Sequence, residues 1–383
     1  MTTYPASALS AALPSDTPPF ALAFSGGGDS LALLSLLKDH PRLKAVLHVD
    51  HGLREDSQDD AERAAALAVE LGHALTVLRW THDGPTSGVQ EKARQARYGL
   101  MGDYCRAKGI EALVTAHHAD DQAETVLMRV QRASGWRGAA GMRTRCYAPV
   151  WPELAGLTLL RPALMLRRKA LRDVLGDLEP IEDRSNSDTN FARVRARREL
   201  AGRDDLTRDM LALSEAMTDG LRAERALFRR ALDGHHLTHE GQFSVPRLLP
   251  PAVLALVAPI VGGQSGPADR GRIAERQGEL SSGRAVALGE GCMGEWDGEI
   301  LTLSRDPVAI TGRRDRRLAP TAVPIAIPQT PIVWDGRFLV SGAAGQLHPE
   351  RRGVHVGFRV LYGRGVRIEN LVRARLDAAL ALA

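Results

Sequence analysis

The sequence predicts an α/β protein: a doubly wound parallel sheet in the N-terminal half, followed by one or more smaller C-terminal domains. Three observations carry this reading. Short apolar runs alternate with helical patterns from Phe20 to Gln131, a glycine-rich turn joins the first run to a leucine-rich helix, and polar clusters fall just beyond apolar runs. Strands alternating with helices are what parallel strands joined by helical crossovers require.

The elements follow in order. Phe20–Phe24 is a short apolar strand, and after the Gly26-Gly27-Gly28 turn a helix runs over about Ser30–Lys38. Leu43–Val49 forms a second strand, and Asp56–Leu71 shows alanine and leucine at helical spacing. Ala74–Trp80 returns to strand character, Gly88–Ala107 is helical, Ala112–Ala116 is a strand and Asp120–Gln131 a helix. Prolines and glycines interrupt the chain from about Gly135 to Pro180, and a long helix is expected over Asp209–Leu232. Short strand-like segments then lead to a stretch rich in valine, glycine and proline with a helical end. The expected division is a flexible leader at 1–19, a catalytic domain at 20–212, a C-terminal domain at 213–310 and a reduced second C-terminal segment at 311–383.

Bulk properties narrow the class. The chain has 383 residues, 44% hydrophobic and 25% charged, enough for two or three domains of an ordinary globular protein. No run approaches the roughly 20 apolar residues that cross a bilayer, so no membrane association is expected. The N-terminal stretch lacks a basic region followed by an apolar core, which speaks against a signal peptide. Cys105, Cys146 and Cys292 lie far apart with no zinc spacing, and a reduced cytoplasmic location is the default. Net charge is only +4, but arginines cluster at 193, 195, 197 and 198 and again at 313, 314, 316 and 317. Such patches suit nucleic acid as well as a solvated surface.

Ligands of doubly wound sheets bind beyond the carboxyl ends of the strands, and the glycine turn lies there. Its glycines let the backbone approach an anion, N–H groups at a helix start point outward, and Ser25 and Ser30 add hydroxyls. A turn without a ligand would use the same glycines. Asp29 shifts the balance toward a ligand: a carboxylate beside phosphate is repulsive unless a cation intervenes, so the turn suits the pyrophosphate of a nucleotide with Mg²⁺. Asp50 and His51 of VDHGLR follow the second strand, within reach of the same nucleotide or simply in a polar loop. HHADDQAET, His117–Thr125, sets His117 and Asp121 at i,i+4 and Asp121 and Glu124 at i,i+3. Its two histidines and three acids suit a divalent-metal hydrolase, or general acid–base and amine-binding groups around a nucleotide. Glu91 and Arg94 of QEKARQARY are spaced for an ion pair, although Arg94 and Arg97 could equally hold phosphate. DRSNSDTNFARVRAR leads into a basic helix bearing Arg193 and Arg197, fit for a phosphate backbone or a charged surface.

In this order and spacing, SGGGDS, VDHGLR, EKARQARY, HHADDQAET, RPAL (Arg161–Leu164) and EDRSNSDTNFARVRAR resemble the tRNA(Ile)-lysidine synthetase family of PP-loop ATP pyrophosphatases. The resemblance spans most of residues 20–200 and weakens beyond. Ala116 stands where the family usually has glycine, and Arg184 where it often has proline. The resemblance implies a Rossmann-like fold and a two-step ligase reaction. ATP adenylates the C2 oxygen of the wobble cytidine of an isoleucine tRNA, and free L-lysine then attacks C2 to give lysidine, AMP and pyrophosphate. It implies that Ser25, Gly26, Gly27, Gly28, Asp29, Ser30, Asp50 and His51 bind ATP, with Asp29 on Mg²⁺. His117, Asp121 and Asp29 would be catalytic, Asp121 and Glu124 would hold lysine, Arg193 and Arg197 would face tRNA or the activated intermediate, and residues 213–310 would face tRNA. A homodimer is one assembly the chain could form. The rival readings are a PP-loop tRNA sulfur transferase, which needs a nucleophilic or cluster-binding cysteine, a divalent-metal phosphohydrolase, and a non-catalytic RNA-binding protein.

Overall fold

The computed structural model describes residues 3–53, 56–82, 88–181, 192–264, 266–280, 284–306, 309, 325–326, 331–342, 346–352, 355–362 and 366–381. Two compact units emerge: Met1–Cys146 with Leu157–Arg222, and Tyr147–Gly156 with Ala223–Ala383.

The first unit holds α1 (Thr3–Ala12), β1 (Phe20–Ala23), α2 (Gly28–Leu37), β2 (Leu43–Asp50), α3 (Ser57–Glu70), β3 (Leu75–Arg79), α4 (Val89–Ala107), β4 (Ala112–Val114) and α5 (Ala119–Gln131). There follow α6 (Gly135–Ala139), β5 (Arg145–Tyr147), β6 (Thr158–Leu160), α7 (Arg168–Arg172), α8 (Ala192–Leu200) and α9 (Asp204–Ala231), the last continuing into the second unit. Six strands form one sheet in the order β3-β2-β1-β4-β6-β5, and β1 pairs parallel with both β2 and β4. Phe20, Ala21 and Leu22 of β1 and all of β4 are buried, as expected of central strands covered on both faces. Chain order reverses between β1 and β4, which opens a crevice at their carboxyl ends.

Residues 1–19, expected as a flexible leader, instead carry a helix. Leu9 and Leu13 lie four apart in an alanine-rich run, and both are buried against the core that contains Phe20, Leu31 and Leu34. Burying an i,i+4 leucine pair is enough to order the segment.

The second unit contains β7 (His236–Leu237), β8 (Phe243–Val245), α10 (Pro251–Val261), α11 (Arg270–Leu280), β9 (Val286–Gly289), β10 (Cys292–Trp296) and β11 (Leu301–Arg305). Beyond them lie β12 (Ile325–Ala326), β13 (Ile332–Trp334), β14 (Phe338–Ser341), β15 (Gln346–Arg352), β16 (His355–Tyr362), β17 (Arg367–Asn370) and α12 (Leu371–Leu380). A five-stranded sheet runs β7-β8-β11-β10-β9, and two three-stranded sheets run β12-β15-β16 and β13-β14-β17. Val372, Leu376 and Leu380 of α12 share a core with Leu254, Val257, Phe243 and Leu303. Among the described residues, α12 of the last segment thus contributes to the same core as the strands and helices that precede it. Arg305 and Arg337 flank a fully buried Asp335, with Nε–Oδ distances of 2.9 and 2.7 Å.

Candidate active site

The glycine turn connects β1 to α2. Gly26 has φ +78°, a left-handed conformation suited to glycine, and its carbonyl accepts the Ile181 amide at 3.0 Å. An added Cβ there would lie 2.5 Å from Ile181 Cδ1. Gly27 caps the helix with ordinary extended dihedrals (φ −69°, ψ 158°) and no side-chain cap. Leu31 is the first residue to close a helical turn, on the Gly27 carbonyl, so the amides of the first turn are directed out of the helix start. Ser25 and Ser30 brace the turn: Ser30 Oγ donates to the Gly27 carbonyl at 2.9 Å, and Ser25 Oγ accepts the Gly27 amide at 3.3 Å.

Asp29 stands in the first turn of α2, where Arg172 Nε donates to its Oδ1 at 2.7 Å and Arg168 Nε lies 3.5 Å away. Its Oδ2 is 3.6 Å from His118 Nε2. Burial favours the neutral acid, but hydrogen bonds and charge from His118 and Arg172 outweigh it and hold the carboxyl well below the usual range.

His118 is the N-cap of α5. Its Nδ1 accepts the Asp121 amide at 3.3 Å while Asp121 Oδ2 accepts the His118 amide at 3.0 Å, a capping box. With Nδ1 accepting, the neutral ring carries its proton on Nε2, which faces Asp29 and Asp121. His117 pairs its Nδ1 with Thr115 Oγ1 at 2.8 Å. Burial and then the nearby Arg161 push its pKa down to about 3, so the ring is neutral at physiological pH. Burial and Arg97 likewise bring His51 down to about 4. Asp50 Oδ1 accepts the Gly52 amide at 2.9 Å, which positions this loop at the end of β2.

The remaining acids of HHADDQAET have separate partners. Asp120 accepts from Arg167 Nε (3.0 Å) and from the Arg168 amide (2.7 Å), which ties the start of α5 to α7. Arg193 bridges Asp121 (2.7 Å) and Glu124 (2.8 Å), and Arg197 donates to the other Glu124 oxygen at 2.7 Å. Arg193 and Arg197 therefore line the cavity beside these acids. Among the described residues, no group of three or more His, Cys, Asp or Glu is placed to hold a metal ion. The metal cluster that HHADDQAET suggested is thus not formed among the described residues.

One cavity of about 700 Å³ gathers Ser25, Gly27, Asp29 and Ser30 with Asp50, His51, His117, Asp121, Arg193 and Arg197. Glu124 is not on its wall but is nearly fully buried, and reaches it through the two arginines. Arg94 and Arg97 also line the cavity, with guanidinium groups 4.9 and 5.4 Å from the Tyr98 ring centre. Glu91, the expected ion-pair partner of Arg94, instead accepts from Gln95. A second cavity of about 460 Å³ borders the glycine turn and includes Arg168 and Arg172 of α7, which sequence reasoning missed. Their only signal was the basic run Arg167-Arg168-Lys169. Arg54 and the part of DRSNSDTNFARVRAR from Asp183 to Phe191 lie outside the described residues, as do Arg313, Arg314, Arg316 and Arg317. No described helix is long and apolar enough to cross a membrane.

Comparison with known proteins places this site in a family. A PP-loop domain family model matches residues 3–203. The tRNA(Ile)-lysidine synthase of Ruegeria pomeroyi is 34% identical over 338 residues, covering 84% of this chain and 76% of that protein. The Methylobacterium nodulans enzyme of the same name is 37% identical, covering 77% of this chain and 91% of the relative. That of Novosphingobium aromaticivorans is 47% identical over 183 residues, 47% of this chain and 55% of its own length. With a PP-loop at β1, the HHADDQAET helix on the adjacent strand and relatives aligned across most of both chains, this chain belongs to the tRNA(Ile)-lysidine synthase family.

Proposed function

We propose that the chain synthesises lysidine in tRNA(Ile): it transfers AMP from ATP to O2 of the wobble cytidine, and the amine of free L-lysine then displaces AMP at C2. Beyond family membership, one observation supports this most. The glycine turn and the His117–Glu124 segment follow the adjacent strands β1 and β4 and face one cavity large enough for a nucleotide.

The residues divide the work. The amides of the first turn of α2, with Ser25 and Ser30, hold the phosphates that leave as pyrophosphate. Asp50 and His51 line the nucleotide end, and His51 Nδ1 is buried without a hydrogen bond, available to a ligand. Neutral His117 can accept a proton or donate a hydrogen bond near the reacting cytidine without adding charge. Asp121 and Glu124 are the anionic groups a lysine ammonium requires. Arg193 donates to both of them and Arg197 to Glu124, so lysine would bind by exchanging guanidinium contacts for its own.

Mg²⁺ fits as a companion of ATP rather than as a resident ion. Among the described residues Asp29 belongs to no cluster of metal ligands, so it would hold the ion together with phosphate oxygens of the nucleotide. Bound there, the ion would neutralise the charge that builds on the departing pyrophosphate. Residues 223–383 and a homodimer are the further elements available for engaging tRNA. A sulfur-transfer reaction finds no support. Burial pushes the thiols of Cys105 and Cys292 up to about 12, and Cys146 lines neither cavity.

The test uses tRNA(Ile) transcript, ATP and labelled lysine, following label incorporation and pyrophosphate release. Both are expected with a wobble cytidine and neither with uridine. Incorporation that is indifferent to that change would overturn the reading.

A further inference from the structure

The glycine turn borders two cavities, and the roles above give none to the two arginines that line the one away from HHADDQAET. That cavity, of about 460 Å³, has Gly27, Gly28, Asp29, Arg168 and Arg172 on its wall. We propose that Arg172, with Arg168 beside it, holds the β- and γ-phosphates of ATP and then the pyrophosphate leaving group.

Several observations converge on this. The Arg172 guanidinium lies against the start of α2, where a Cβ added at Gly28 would come within 2.8 Å of its Cζ. Glycine at that position admits the arginine, so outward amides and a guanidinium face the same space. The placement is built in, because α7 packs on α2 and buries Leu171, although Arg172 and Asp29 are 143 residues apart in sequence. Asp29 is one negative charge facing two guanidinium groups, and Arg168 Nε is buried without a hydrogen bond. The excess positive charge beside a helix N-terminus fits a polyanion. In the adenylation step the α–β phosphoanhydride bond breaks as the cytidine oxygen bonds the α-phosphorus. The electron pair departs on the β-phosphate side, where Arg172 would stabilise it. The assignment rests on the adenylation reading only for which phosphates leave.

Calorimetric titration of Arg172→Ala and Arg168→Ala with Mg·ATP, Mg·pyrophosphate and AMP tests it. Arg172→Ala is expected to bind ATP and pyrophosphate at least tenfold more weakly, with AMP affinity within twofold of the parent; Arg168→Ala should follow with a smaller loss. If Arg172→Ala melts early, Arg172→Gln serves under the same criterion. Pyrophosphate affinity unchanged within twofold, or AMP weakened as much as pyrophosphate, would overturn the proposal. No lysidine is formed in these titrations. A protein showing this binding pattern but making no lysidine would refute the proposed function and leave the arginine assignment standing.

Discussion

Gly26 and Gly27 are neighbours in one turn, yet alanine should affect them in opposite ways. At Gly27 the dihedrals suit any residue, and an added Cβ meets only Ser25 Oγ at 3.4 Å and the Ile181 carbonyl at 3.8 Å. Alanine restricts the unfolded chain but is a poorer N-cap than glycine, so the two effects oppose each other and Gly27→Ala should change stability by less than about 1 kcal/mol. The same methyl points to where phosphate must reach the backbone, since Gly27 borders both cavities. Losing two charge-assisted hydrogen bonds costs about 3–6 kcal/mol, so ATP affinity should fall by roughly 100-fold or more. Gly26→Ala combines a left-handed φ, about 1–2 kcal/mol, with a clash against Ile181 that adds about 1–3 kcal/mol. Thermal melting with ATP titration separates the two. Gly27→Ala should melt close to the parent temperature with ATP binding weakened by roughly 100-fold or more, and Gly26→Ala should melt several degrees lower. If Gly27→Ala binds ATP within threefold of the parent, phosphate does not approach the backbone there, and the cradle argument fails.

Other outcomes follow from the same geometry. Asp121→Asn should lose nearly all lysidine formation while stability changes by less than about 1 kcal/mol, because the amide oxygen can still accept the His118 N–H and keep the cap; near-normal turnover would remove Asp121 from the chemistry. The folded pKa values of His117 and His51 lie below that of a free histidine, so the unfolded chain binds more protons, and stability should decline as pH falls from about 6.5 toward 4. His117→Gln should flatten that decline in melting temperatures recorded against pH, with the loss from Asp29 protonation confined below its unperturbed value of 3.8. Under native conditions iodoacetamide should label Cys146 well before Cys105 or Cys292, and the labelled protein should keep its ATP-dependent activity.

The sheet was legible because its central strands are short, wholly apolar and separated by helices of clear period. From β1 to α5 the observed boundaries fall within about two residues of those expected. The glycine turn and HHADDQAET were legible as polar sequence placed just after such strands. Orientation within a helix was not. Arg193 and Arg197 were legible as a basic pair facing tRNA or the activated intermediate, but their contact with Glu124 was not, because no local pattern encodes which neighbour a helix will meet. Asp120 and Asp121 are adjacent in sequence, yet the helix directs one to Arg167 and the other into the crevice. Arg172 was invisible for the same reason: its relation to Asp29 exists only once α7 lies on α2. The N-terminal helix was missed because composition near a terminus suggests disorder, whereas the spacing of Leu9 and Leu13 decides the matter.

The Arg305–Asp335–Arg337 cluster has a consequence for synthesis. Arg305 ends β11 and is sealed from water, but its counter-charge lies 30 residues further along the chain. Ribosomes add roughly 5–20 residues each second, so Arg305 is made a few seconds before Asp335. Burying a guanidinium alone is strongly unfavourable. The β9–β11 sheet must therefore wait, with Arg305 in water, until the turn between β13 and β14 emerges and α12 closes the shared core. A ribosome pausing within that interval would hold a nascent chain whose second unit is open to proteases and chaperones.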